Sequence, residues 1–201
     1  MNTSTQTALI IFIKNPEKGK VKTRLASTVG DDRALEIYKA LMSHTRDLAS
    51  QTEANRYLFY SQFINAQDDW PENRFIKDLQ IEGDLGAKMA TAFQTVLAKH
   101  AKAIIIGSDC ASLTQEIIQE AIQALDQHDF VLGPALDGGY YLLGMQYFEP
   151  TLFQDMPWST EQVAPITKTR IKALGKTCFT LQELSDIDYE EDWNKYGWDL
   201  S

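Results

Sequence analysis

The chain alternates between short apolar runs and longer stretches in which apolar residues recur every three or four positions. "ALIIFI" (8–13) is a continuous run of strand length, rich in β-branched residues, and predicts a strand buried on both faces. "DDRALEIYKALMSHTRDLAS" (31–50) places Leu35, Tyr38, Leu41 or Met42, Thr45 and Leu48 or Ala49 on one side, the pattern of an amphipathic helix. "RYLFYS" (56–61) and part of "FIKDLQI" (75–81) read as strands. "LGAKMATAFQTVLAKHA" (85–101) reads as a helix and "AIIIG" (103–107) as a strand, followed by a helix over about 114–125. "DFVLGP" (129–134) and "YYLLGM" (140–145) predict two more strands, then a helix near 159–174 and a strand "TCFTL" (177–181). Strands separated by helices of about ten residues or more require crossover connections, hence a mostly parallel sheet covered on both faces. The fold class is α/β. With no internal repeat, low-complexity tract or Pro/Gly-rich linker, the pattern describes a single domain over residues 1–201.

Composition adds limits. The chain has 201 residues, 44% hydrophobic and 23% charged, ordinary values for a protein with a substantial core. Its formal net charge of -9 argues against a general nucleic-acid binder, which would present a basic surface to phosphates. The polar start "MNTSTQT", followed by six apolar residues, is too short for a signal peptide or a membrane span. Cys110 and Cys178 match no metal-binding spacing, so free thiols and a reducing, cytoplasmic setting are expected.

Against that acidic background, "KNPEKGKVKTRLA" packs Lys14, Lys18, Lys20, Lys22 and Arg24 into one loop directly after the first strand. Ligands of a parallel sheet bind beyond the carboxyl ends of its strands, which is where this loop lies. It is neither a P-loop nor a G-x-G-x-x-G turn, but its chemistry is that of an anion cradle: Gly19 permits close approach, and Lys22 and Arg24 are the strongest phosphate candidates. Three further loops share the carboxyl edge. "QIEGDLGAKM" sets Gly83 and Gly86 around Asp84 at a helix start, where capping by Asp84 competes with ligand binding. "AIIIGSDCASL" puts Asp109 after a strand, a common place for a Mg²⁺ or Mn²⁺ ligand, although a turn cap is the simpler role. In "LGPALDGGYYLLGM", Asp137 with Gly138 and Gly139 serves equally as a tight turn or as a carboxylate beside a substrate. Towards the end, Ser159 and Gln162 fit a capping box. "LSDIDYEEDW" offers Asp186 and Asp188, either as an acidic helix start or with Asp188 meeting Asp109 across the cleft. The three histidines fall in or beside helices, so histidine-based nucleophilic catalysis is not expected.

From "LIIFIKNPEKGKVKTRLA" through "QIEGDLGAKM", "IGSDCASL", "LGPALDGGYYLLGM" and "WSTEQV" to "DIDYEED", the chain resembles a bacterial family of glycosyltransferase-A-like proteins in the nucleotide-diphospho-sugar transferase superfamily, carrying a domain of unknown function. Guanylyltransferases of cofactor biosynthesis are more distantly similar. The resemblance implies a three-layer, Rossmann-like GT-A fold with a nucleotide-sugar or NTP over the carboxyl end of the sheet, and a small-molecule acceptor. By similarity, Lys14, Gly19, Lys22 and Arg24 would hold phosphates, while Gln80, Gly83, Asp84 and Gly86 would face the base or ribose. Asp109, with Asp188, would bind Mg²⁺ or Mn²⁺; Gly138, Gly139, Trp158 and Glu161 would border the acceptor. The expected activity is a metal-dependent transfer from a nucleotide-diphosphate sugar, with Asp137 and Arg24 as its catalytic residues. Nucleotidyl transfer from an NTP to a phosphorylated small molecule, and a non-catalytic nucleotide-binding module, are the alternatives.

Overall fold

The computed structural model describes residues 7–200, so the N-terminal segment up to residue 6 lies outside the described residues. Seven strands form one sheet: β1 (Thr7–Ile13), β2 (Asn55–Tyr60), β3 (Phe75–Leu79), β4 (Lys102–Ile106), β5 (Phe130–Pro134), β6 (Tyr140–Met145) and β7 (Cys178–Thr180). Their spatial order is β3-β2-β1-β4-β6-β5-β7. Neighbours pair in parallel except at β6, which runs antiparallel to both β4 and β5. The exception follows from connection length: β5 and β6 are joined by a tight turn at Asp137, whereas the parallel neighbours β2 and β3 are joined by a long loop (61–74) and the remaining connections run through helices.

Among the described residues, six α-helices and a short 3₁₀ turn (Pro150–Leu152) complete the fold: α1 (Thr23–Val29), α2 (Asp31–Gln51), α3 (Leu85–Leu97), α4 (Gln115–Ala124), α5 (Val163–Ala173) and α6 (Glu190–Tyr196). Strand periodicity divides the core into two layers. Leu9, Ile11 and Ile13 of β1, with Ile104 and Ile106 of β4, pack beside Tyr38 and Met42 of α2 and Ile118 of α4. Ala8 and Ile10, with Ala103 and Ile105, pack on the opposite face beside Met89 and Phe93 of α3 and Ile171 of α5. A third cluster joins α1, α2 and α6 through Leu25, Ile37, Leu41 and Trp193, with Ile187 fully buried among them. This is the expected three-layer α/β arrangement.

Two local expectations are corrected. Within the basic loop, where the sequence pattern predicts no element, residues from Thr23 onward form α1, which buries Leu25. The Ser159–Gln162 capping box does not form. Ser159 sits at φ 63°, α5 starts only at Val163, and the N–H of Ala164 is taken by the Gly138 carbonyl at 2.9 Å. The donor that a serine cap would have served, the N–H of Gln162, is accepted instead by the Thr160 hydroxyl at 3.4 Å. Among the described residues, no helix is long and apolar enough to cross a membrane. Cys110 and Cys178 are free thiols.

Candidate active site

The carboxyl ends of β1 and β4 and the amino end of β6 open into a cleft of about 610 Å³. Its charged half is assembled from both ends of the chain. Lys22 occupies the left-handed region (φ 46°, ψ 46°) as the residue preceding α1, and its side chain is only 7% exposed. Its ammonium lies 3.0 Å from Asp109 Oδ2 and 3.3 Å from Asp188 Oδ1. Arg24, two residues further on, places Nη1 3.0 Å from Asp188 Oδ2. Asp188 and Asp109 thus meet across the cleft, where they share the Lys22 ammonium.

Local structure explains the convergence. Residues 186–188 belong to no helix or strand, and their side chains divide between core and cleft. Ile187 enters the third apolar cluster, leaving Asp186 and Asp188 to flank the cleft. The N–H of Ile187 donates to the Asp109 carbonyl at 2.9 Å, locking the C-terminal segment to the end of β4. The Asp192 carboxylate accepts the N–H groups of Asp188 and Tyr189, which fixes the start of α6.

The electrostatics follow from that packing. Burial works against the Lys22 ammonium, but the charges of Asp109 and Asp188 outweigh it and raise its pKa above the ordinary lysine value. Burial likewise pushes the Asp109 carboxyl up, and Lys22, by charge and hydrogen bond, more than reverses this. Asp186 has no such partner. Its Oδ1 is buried without a hydrogen bond, and burial together with the negative charge of Asp109 raises its pKa well above the usual carboxylate range. Burial, with the charges of Asp186 and Asp109, pushes up the Cys110 thiol, which suits a packing role and not a nucleophilic one.

The remaining candidates divide. Lys14, Gln80, Asp137, Gly139 and Trp158 line the same cleft as Lys22, Arg24, Asp109 and Asp188. Gln80 also spends its side-chain amide on the carbonyls of Ile13 and Phe59, tying β1 and β2 together. Asp137 is exposed at the β5–β6 turn, and its carboxylate accepts the N–H of Gly139 at 2.8 Å, so it both forms the turn and faces the cleft. Gly19, Gly83, Asp84, Gly86, Gly138 and Glu161 are not among the cleft-lining residues. Asp84 caps α3 by accepting the N–H of Ala87 at 2.7 Å. A Cβ on Gly86 would stand 2.7 Å from both the Phe153 carbonyl and Trp158 Nε1, so this glycine lets the indole pack against α3. Gly138 combines φ 86° with an approach that leaves no room beside the Glu161 backbone. Of the five loop cations, Lys18 and Lys20 are engaged at the surface, by Asp32 and Glu17.

Tyr38 had been placed only on the buried side of a helix, yet it helps to hold the site. Its hydroxyl accepts the N–H of Lys14 at 2.8 Å, donates to the Lys14 carbonyl at 3.0 Å, and lies 3.2 Å from Ser108 Oγ. It thereby fastens the start of the basic loop to the end of β4. Tyr140, Met89, Phe12 and Leu85 form an apolar wall opposite the charges, signalled in the sequence only as ordinary strand and helix residues. A separate surface hollow of about 460 Å³ beside Arg46 and Arg74 lies away from the carboxyl edge of the sheet.

Among the described residues, no group of three or more His, Cys, Asp or Glu side chains is arranged to hold a metal ion. Asp109 and Asp188 nonetheless converge on a single cation, with the unpartnered Asp186 oxygen beside them. Oxygen donors of this number suit Mg²⁺ or Mn²⁺, which take one or two carboxylates and complete their shell with water and substrate phosphates.

Comparisons with known proteins agree with this architecture. A candidate nucleotide-diphospho-sugar transferase from Desulfovibrio desulfuricans G20 is 28% identical, with a TM-score of 0.85 over 92% of this chain and 83% of its own. A nucleotidyl transferase from Methanothermobacter shares the fold at 9% identity and a TM-score of 0.62, covering 95% of each chain. A Mycobacterium tuberculosis H37Rv protein, solved in complex with manganese, does so at 13% identity and a TM-score of 0.53, covering 96% of this chain and 98% of its own. No curated protein matches the sequence. The three-layer sheet is that of the Rossmann-like nucleotide-diphospho-sugar transferases. A family model covers residues 44–160, more than half of the sequence, and the chain belongs to that family, described as an uncharacterized protein conserved in bacteria (DUF2064).

Proposed function

We propose that the protein is a metal-dependent transferase whose donor is a nucleotide-diphosphate sugar. The observation that carries this reading is the pairing of Lys22 and Arg24 with Asp109 and Asp188 at the carboxyl edge of the sheet, in a cleft of nucleotide size. The 28% identity to a candidate nucleotide-diphospho-sugar transferase supports the choice of donor.

In this reading Lys14, Lys22 and Arg24 bind the diphosphate and neutralise the charge that grows on it as it departs. Asp109 and Asp188 hold Mg²⁺ or Mn²⁺, which supplies further neutralisation as a Lewis acid when bound. Asp137, exposed beside Gly139, orients the acceptor hydroxyl and takes its proton. The apolar wall of Phe12, Leu85, Met89 and Tyr140 keeps water from the opposite side of the cleft. A second reading, nucleotidyl transfer with release of pyrophosphate, uses the same cations and is supported by the fold shared with a nucleotidyl transferase.

A thermal-shift screen of UDP-, GDP-, ADP- and dTDP-sugars and the matching NTPs, with and without Mn²⁺ or Mg²⁺, separates the two. A ligand at about 100 times its Kd adds about 2.7 kcal/mol, which moves the melting point visibly. Stabilisation by a diphosphate sugar only when metal is present supports the donor proposed. Stabilisation by an NTP, with pyrophosphate released in turnover, favours nucleotidyl transfer. Full metal-dependent nucleotide binding by Asp109→Ala would remove the metal role given to that residue.

A further inference from the structure

We propose that Lys22 makes entry of a divalent cation between Asp109 and Asp188 conditional on a diphosphate already lying in the cleft. The inference rests on the metal-dependent reading above and adds an order to it. The ammonium stands within 3.0 and 3.3 Å of one oxygen from each carboxylate. A cation using both carboxylates must come within about 2.0–2.2 Å of such oxygens, so it claims the space the ammonium holds. Two positive charges cannot share that gap.

Displacing the ammonium is costly because of where it sits. The Lys22 side chain is 7% exposed and rises from a left-handed residue fixed at the head of α1, so it cannot simply turn out into solvent. Moved off its carboxylates, it is a buried charge without a partner. Arg24 is different: its side chain is 60% exposed, and water can solvate it wherever it goes. A diphosphate beside Lys14 and Arg24 changes the balance by offering the ammonium a new anion inside the same cleft. Lysine then moves from carboxylate to phosphate as the metal takes its place. Metal and diphosphate are therefore thermodynamically coupled, and each raises the affinity of the other by the same factor.

The test follows protein-bound Mn²⁺ by its enhancement of water-proton relaxation. Wild type and Lys22→Met are titrated with Mn²⁺ alone and with Mn²⁺ plus inorganic pyrophosphate, the diphosphate common to both functional readings. Wild type is expected to bind Mn²⁺ alone roughly tenfold or more weakly than Lys22→Met. Pyrophosphate should tighten Mn²⁺ binding in wild type far more than in the variant. Adding Asp109→Asn to Lys22→Met should abolish the gained site, and Lys22→Gln serves the same comparison if the methionine variant does not fold. Equal binding of Mn²⁺ alone by wild type and variant overturns the gate and leaves the metal reading standing. Absence of bound Mn²⁺ in every protein, with or without pyrophosphate, overturns the metal reading itself.

Discussion

Replacing Tyr38 by phenylalanine isolates the anchor of the basic loop. Tyr38 is 3% exposed, and its ring belongs to the core between α2 and the sheet. Phenylalanine keeps that packing and removes only the hydroxyl, which burial has pushed to a pKa of about 12, so that it is a protonated donor at neutral pH. The loss falls on the Lys14 N–H, bonded at 2.8 Å, and on the Lys14 carbonyl, bonded at 3.0 Å. Leaving such groups unsatisfied costs about 2 kcal/mol, which for a domain of this size lowers the melting temperature by roughly 4–8 °C. Thermal melts and urea titrations of the two proteins read the difference, with the urea slope unchanged because the same surface is exposed on unfolding. Nucleotide affinity should fall in parallel, since Lys14 then starts from an untethered loop. A melting point within about 1 °C of wild type would refute the reasoning, because water would then have replaced the hydroxyl at no cost.

Three other outcomes follow from the same geometry. Asp186→Asn should stabilise the protein at about pH 8 and change little at about pH 4: its folded pKa is raised, so at about pH 4 the side chain is neutral in the folded state and only about half ionised in the unfolded chain, and the wild type loses stability as the pH rises and that ionisation completes; equal melting shifts at both pH values would contradict this. Gly86→Ala should cost about 1–3 kcal/mol in urea denaturation, because its Cβ would meet the Phe153 carbonyl and the Trp158 indole at 2.7 Å, and an unshifted midpoint would show that the contact yields easily. Arg24→Ala should weaken nucleotide binding roughly tenfold in calorimetry, the scale of one charge-assisted hydrogen bond, whereas Lys18→Ala, whose ammonium pairs with Asp32 in solvent, should leave it unchanged; equal effects would return the whole loop to a solvated surface role.

The fold was legible because its signals are local and repeated. "ALIIFI" and "AIIIG" are buried on both faces, as β-branched runs between helices should be. The helix over Asp31–Gln51 buries the side that its periodicity marked. The site was legible in outline for a different reason: in a parallel sheet the carboxyl ends coincide, so the loops after β1 and β4 had to be neighbours. What the pattern could not show were the choices between equivalent residues. Asp84 and Asp109 both follow strands; the helix start already offered Asp84 as a cap, but only packing reveals that Asp109 meets an ammonium. Asp186 and Asp188 are two apart and share a face, and the orphaned oxygen on Asp186 is a product of burial that no spacing announces. Tyr38 carries its function on a hydroxyl at the edge of the core, a position hydrophobic periodicity treats as plain packing.

The charged centre draws its cations from residues 22 and 24 and its second carboxylate from residue 188, with Asp109 between them in sequence. The segment that identifies the family, residues 44–160, holds Asp109 and Asp137 but neither the lysine nor the arginine nor Asp188. A recombination that transplanted this middle segment would carry the recognisable part of the lineage and leave its electrostatics behind. For the same reason, relatives should be grouped by whether both flanks supply their share of the ion pairs. Two chains equally alike in the middle can differ there in whether they hold a cation at all.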